Sequence, residues 1–174
     1  MPAPRRAESI GPSVAPAGVL SRTALVILRI GLVAGTLDII DAFLFNAFRH
    51  ITPVMVLQYI ASGLMGGASF DSGLASVALG VVLHYLIALS WTAIFFIASR
   101  KFSILIRKPV VSGLLYGVAV YLFMNLVVLP LSRVPVATAA MTLASRINGV
   151  LAVMFCIGLT ISLLVHREVA VTSA

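Results

Sequence analysis

The chain has 174 residues, of which 61% are hydrophobic and only 10% charged, and its mean hydropathy is +1.15. Soluble domains carry about 25% charged residues, so the composition argues against a water-soluble fold. The net charge of +7 does not mark a nucleic-acid partner either, because no continuous basic face with interleaved aromatics is present.

Residues 1–22, MPAPRRAESIGPSVAPAGVLSR, are rich in Pro, Ala, Gly and Ser and are expected to form a disordered cytoplasmic tail. The Arg5–Arg6 pair lacks the flanks of a twin-arginine signal. The apolar run after it is too long for a removable signal peptide, so the first span is expected to target the chain. That span is placed at about 24–48. The next stretch, 51–70, is apolar but short, with Pro53 early, Gln58 in the middle and several glycines. It predicts a short helix at the outer interface or tucked against the bundle, not a full span.

A second span follows at about 72–99, with Asp71 expected to cap its start and Trp91, Phe95 and Phe96 towards its inner end. The basic link 100–108 leads to a third span at about 109–131, which opens on Pro109, a favourable first-turn residue. A tight connection containing Arg133 and Pro135 precedes a fourth span at about 137–166, and 169–174 form a second cytoplasmic tail. The fold class is therefore all-α: an integral membrane four-helix bundle over 23–168, with a short interfacial helix between its first two spans.

Four spans put both termini and the 100–108 link on one side. That side holds Arg5, Arg6, Arg22, Arg100, Lys101, Arg107, Lys108 and Arg167, against Arg49 and Arg133 on the other. Basic segments stay cytoplasmic, so both termini are expected inside a cell's inner (plasma) membrane. Contact with anionic headgroups would be a by-product of the basic segments. A fifth span at 51–70 would break this bias.

Each span carries two small residues four apart: Gly31 and Gly35, Ser76 and Gly80, Gly113 and Gly117, Ser145 and Gly149. Such pairs make shallow grooves that let helix backbones approach, within the bundle or between copies. Polar residues extend the same faces, through Asp38 and Asp41 on the first span, His84 on the second, and Tyr121 and Asn125 on the third. On the fourth, Ser145, Arg146, Asn148 and Gly149 fall within about one turn. At about 1.5 Å per residue, Asp38, Asp41, His84, Asn125 and Arg146 share one band in the outer half. Ionisable groups at such depth cost about 2.5–3.5 kcal/mol and are normally paired. An ion pair between Asp38 or Asp41 and Arg146 is expected, with His84 and Asn125 as hydrogen-bonding neighbours. The cluster reads first as a structural clamp that satisfies its own charges, and alternatively as a site for a proton, ion or small polar ligand. Arg29, near the inner end of the first span, is expected to snorkel.

Enzyme chemistry has little to stand on. No H-E-x-x-H, G-x-S-x-G or P-loop spacing occurs, and His50, His84 and His166 fall at separate depths. The single cysteine, Cys156, reads as a small buried hydrophobe. No catalytic residue, metal or cofactor is expected.

GLVAGTLDIIDA at 31–42, LQYIASGLMGGASF at 57–70, LGVVLHYLIALSWTAIFF at 79–96 and KPVVSGLLYGVAVYLFMNLVVLPLS at 108–132 resemble segments of small bacterial inner-membrane proteins. More loosely, they are similar to the YagU-like family. The resemblance covers roughly 30–135 and implies a bacterial inner-membrane location. That family is associated with acid tolerance and has no agreed biochemical activity, so no residue role carries over. The expected function is a non-enzymatic accessory or assembly component, possible as a homo-oligomer or with a membrane-protein partner. The alternative is a small proton- or ion-sensitive transporter or channel built on the Asp/His/Arg cluster.

Overall fold

The computed structural model describes residues 17–135 and 142–172, with side chains over 22–135 and 142–169. The protein is an all-α bundle with four helices long and apolar enough to cross a membrane: Arg22–Ala47, Gly73–Lys101, Pro109–Leu131 and Leu143–Val169. They belong to α1 (Ala17–Ala47), α3 (Gly73–Lys101), α5 (Pro109–Leu131) and α6 (143–172). Among the described residues the shorter helical pieces are α2 (Pro53–Met65), a 3-10 turn over Gly66–Phe70 and the single turn α4 (Ile104–Arg107). The long helices are apolar on every side: Leu28, Leu32, Val33, Leu37 and Ile40 of α1 all remain exposed. Water would not tolerate such a surface and lipid requires it.

Local chemistry sets the boundaries. α1 ends in a Schellman motif, with His50 at φ 59°, its N–H bonded to Ala47 O, and the Ile51 N–H reaching back to Asn46 O. Thr52 Oγ1 accepts from the Met55 N–H and Pro53 occupies the first turn, so α2 starts sharply. α6 is capped in the same way by Thr142, which accepts from the Ser145 N–H.

Two internal widenings interrupt the long helices. α5 is a π-helix over Met124–Val128 and α6 over Val153–Leu159. In α5 the cause is Pro130, whose ring would collide with the carbonyl four residues earlier in a regular helix. In α6 the hydroxyl of Thr160 donates to Phe155 O, five residues back.

The two halves of the bundle differ. At the basic end, where Arg22, Arg100, Arg107 and Arg167 lie, Ile30, Ala34, Phe95, Phe96, Ile157, Ile161 and Val165 form a dry core. There α5 and α6 meet backbone to backbone. A Cβ on Gly158 would strike Gly113 O, and one on Gly113 would lie 2.8 Å from the Leu159 Cα. At the other end, the loop end, α2 is inserted against α3, where a Cβ on Gly80 would strike the Leu57 carbonyl. Leu57, Gln58, Ala61 and Ser62 of α2 are buried. The short helix is therefore tucked into the bundle, and the Arg133 N–H ties it to the end of α5 by donating to Gly63 O, 3.0 Å.

Several expectations need correction. Helix already covers 17–22, and α6 runs on to Thr172, where tails were expected; the rest of the first tail, 1–16, and residues 173–174 lie outside the described residues. α6 begins at Leu143, six residues after the expected 137, and 136–141 are likewise outside the described residues. Asp71 is exposed and does not cap α3; Ser72 occupies that position, and its hydroxyl donates to Ala68 O instead.

Candidate functional site

Between α1, α2, α3, α5 and α6, in the loop-end half, lies a cavity of about 940 Å³. Ile157 reaches it from the dry core, the buried Ala88 and Val120 line it too, and α2 walls one side through Tyr59 and its neighbours. Most of the wall is apolar, and Phe45, Phe70, Trp91 and Tyr121 contribute rings. Both π segments border it, α5 through Met124 and Asn125 and α6 through Val153 and Ile157. Widened turns of this kind are concentrated at functional sites.

Into this apolar space α1 delivers two carboxylates. Asp38 and Asp41 are three residues apart on one helix face, and both line the cavity. Asp41 is held from across the bundle: Asn148 Nδ2 donates to its Oδ2 at 2.9 Å. Asp38 makes no hydrogen bond or ion pair with any described residue. His84, opposite on α3, donates from Nε2 to Gly35 O at 2.8 Å, one turn before Asp38. A carbonyl only accepts, so Nε2 carries the proton and Nδ1 is the nitrogen free to exchange one. Asn125 donates to Tyr121 O of its own helix at 2.8 Å, which leaves its amide oxygen for the cavity.

Four of the five residues expected to cluster, Asp38, Asp41, His84 and Asn125, therefore line one cavity. Arg146 does not. It is exposed, does not line the cavity, and forms no ion pair with Asp38 or Asp41. The late start of α6 explains this. Moving the helix start by six residues raises Arg146 about 9 Å towards the loop end, into the first turn. The inward face of α6 is Ser145, Asn148, Gly149 and Ala152, all of which line the cavity, and Arg146 lies beside Ile147 and Leu151 on the outward face.

The cation at the cavity is Arg49 instead. It follows the end of α1, donates from Nη1 to Ser145 Oγ at 2.7 Å, and stands 5.9 Å over the Phe45 ring. It ties α1 to the start of α6 at the rim. The sequence alone puts Arg49 on the outer side and Asn148 among the polar residues of the fourth span; the i, i+3, i+4, i+7 spacing of 145, 148, 149 and 152 is the signal for the inward face.

The small residues pack as follows. Gly31 and Gly35 admit Leu89 and Ala88 of α3, Gly117 meets Met154 of α6, and a Cβ on Gly149 would lie 3.1 Å from the Tyr121 ring. Ser76 accepts from Gln58 Nε2 of α2 at 3.5 Å. Ser145 serves as the Arg49 acceptor described above.

Trp91, the only tryptophan, is held at the cavity wall edge-on to Phe123 and Tyr116, and its carbonyl accepts from the Tyr116 hydroxyl at 2.6 Å. Among the described residues no three His, Cys, Asp or Glu side chains converge as a metal site. No family model, curated protein or solved structure matches the chain. What fold and cavity define is a multi-pass helical membrane protein with a carboxylate-bearing chamber in one half.

Proposed function

We propose that the protein is a non-enzymatic transporter of the inner membrane that takes up a small organic cation through its cavity. The observation that carries this reading is the Asp38 carboxylate, without a hydrogen bond or ion pair among the described residues, on a mostly apolar, ring-lined wall. In a medium of low dielectric an anion attracts a cation far more strongly than in water. Aromatic rings add to that attraction, and the apolar wall favours a ligand with an apolar body. Asp41, fixed by Asn148, supplies a second negative charge one turn away. A carboxylate that alternates between an organic cation and a proton links the movement of one to the other, and His84 Nδ1 is a nearby proton acceptor.

The distribution of basic residues supports cytoplasmic termini, an orientation in which the cavity opens in the outer half. The accessory or assembly reading has no comparable observation behind it: a bundle serving only as a scaffold gains nothing from two carboxylates around a chamber of this size.

The test is uptake of ethidium, an aromatic cation, by proteoliposomes with and without an imposed pH gradient. The wild type is expected to accelerate uptake over empty vesicles, Asp38→Asn to abolish the gain, and Arg146→Gln to retain it. Uptake equal to empty vesicles, or an Asp38→Asn variant that matches wild type, contradicts the reading.

A further inference from the structure

The basic end carries a second, smaller cavity of about 320 Å³, lined by Ser99, Arg100, Ser103, Ile106, Arg107 and Val169. Its walls come from the end of α3, the α4 turn and the end of α6. The link between α3 and α5 is a built structure. The Phe102 N–H donates to Ala98 O, and the N–H groups of Ile106 and Arg107 both donate to Ser103 O. The link is also bolted to α6 at two points: His166 Nδ1–H donates to Ile106 O at 2.8 Å, and Ser162 Oγ donates to Pro109 O at 2.7 Å.

The last turns of α3 and α4 bring two arginines, Arg100 and Arg107, to one small cavity with no carboxylate among its described lining residues. Each arginine by itself is accounted for as a cation in the last turn of a helix. Their sharing of one cavity is not, because like charges beside the same space repel unless an anion lies between them. Ser103 adds a hydroxyl donor, its side chain making no other hydrogen bond with the described residues. Arginine forks match the paired oxygens of a phosphate. Ile106 and Val169 give the cavity an apolar floor, and the neighbouring Phe102 and Ile104 are exposed apolar side chains, suited to dip into acyl chains beside it.

We propose that this cavity binds a phosphate ester, supplied by the headgroup of an anionic phospholipid on the basic side of the membrane. The site is independent of the ligand taken by the larger cavity. Lys101 and Lys108 lie in the same link but do not line the cavity, so they separate a defined site from diffuse attraction to an anionic surface.

The test uses the full chain in phosphatidylcholine nanodiscs doped with phosphatidylglycerol, with retained lipid counted by native mass spectrometry. A second arm adds glycerol phosphate to the protein in neutral detergent and follows its melting temperature. Wild type is expected to retain phosphatidylglycerol over phosphatidylcholine. The pair Arg100→Gln/Arg107→Gln should lower that retention about tenfold or more, and Lys101→Gln/Lys108→Gln, with the same charge loss, should stay within about twofold. An Arg-dependent response to glycerol phosphate alone keeps the phosphate chemistry and assigns a soluble source. Equal losses from both pairs, or no Arg-dependent response in either arm, overturn the proposal. Melting of both variants in phosphatidylcholine at the wild-type temperature shows that neither result comes from unfolding.

Discussion

A carboxylate inside a membrane bundle needs a donor, and Asp41 obtains one from Asn148 at 2.9 Å. Removing the donor leaves the charge facing an apolar wall. Asn148→Ala is expected to cost about 1–2 kcal/mol, more than the average intramembrane hydrogen bond because the acceptor is charged. Arg146→Gln, on the outward face, should stay within about 0.5 kcal/mol. Thermal unfolding in detergent measures both, and a larger loss at Arg146 would restore the ion pair that the structure does not contain. His50 offers a residue-scale test of a different kind. It holds φ 59° at the end of α1, a conformation that costs a residue with a Cβ about 1–2 kcal/mol. Part of that gain is offset by glycine's greater freedom when unfolded. His50→Gly should therefore raise stability by about 0.5–1 kcal/mol, read in the same unfolding experiment; a loss would mean that the His50 side chain makes a stabilising contact.

At the scale of elements, α5 and α6 form a tight junction, where Gly113, Gly117 and Gly158 let two backbones touch. Gly158→Ala forces its new methyl against Gly113 O and should cost more than about 2 kcal/mol. Gly67→Ala, which meets open space, should stay within about 0.5 kcal/mol. Equal melting temperatures for the two variants would show that the junction is looser than its geometry implies. This junction also shows what the sequence could reveal. Glycines four apart announce a groove, and Gly113 and Gly117 were legible as one. Gly158, the residue that fills it, has the small Ser162 four residues on, but it sits in a π turn, where helical spacing no longer predicts facing. The start of α6 was hidden for a related reason. Residues 136–141, VATAAM, are apolar enough to continue a span, and only the Thr142 cap fixes where the helix begins. That error of six residues carried Arg146 to the wrong depth and the wrong face.

The whole molecule divides into a closed half and a chambered half, and the division follows from where bulk and backbone contact are placed. Phe95, Phe96 and the glycine junction fill the basic half. The loop half contains α2, which is too short to cross and so leaves room beneath it for the cavity. The number of spans, the short helix and the third span at 109–131 were all readable from run lengths and Pro109. The cavity was not, because a void is a property of how five helices splay and leaves no pattern in any one of them. Asp38, Asp41, His84 and Asn125 could be grouped by depth alone. Their common wall required the structure.

The central claim is that Asp38 makes this cavity a cation site, and the lone tryptophan on its wall supplies the probe. Trp91 fluorescence of the purified protein should change saturably on addition of tetraphenylphosphonium and not on addition of tetraphenylborate, which has the same shape and the opposite charge. Asp38→Asn should weaken the response to the cation about tenfold or more. Equal responses to both ions, or an Asp38→Asn variant that binds the cation as wild type does, would contradict it and leave the chamber a hydrophobic space with its charges merely satisfied.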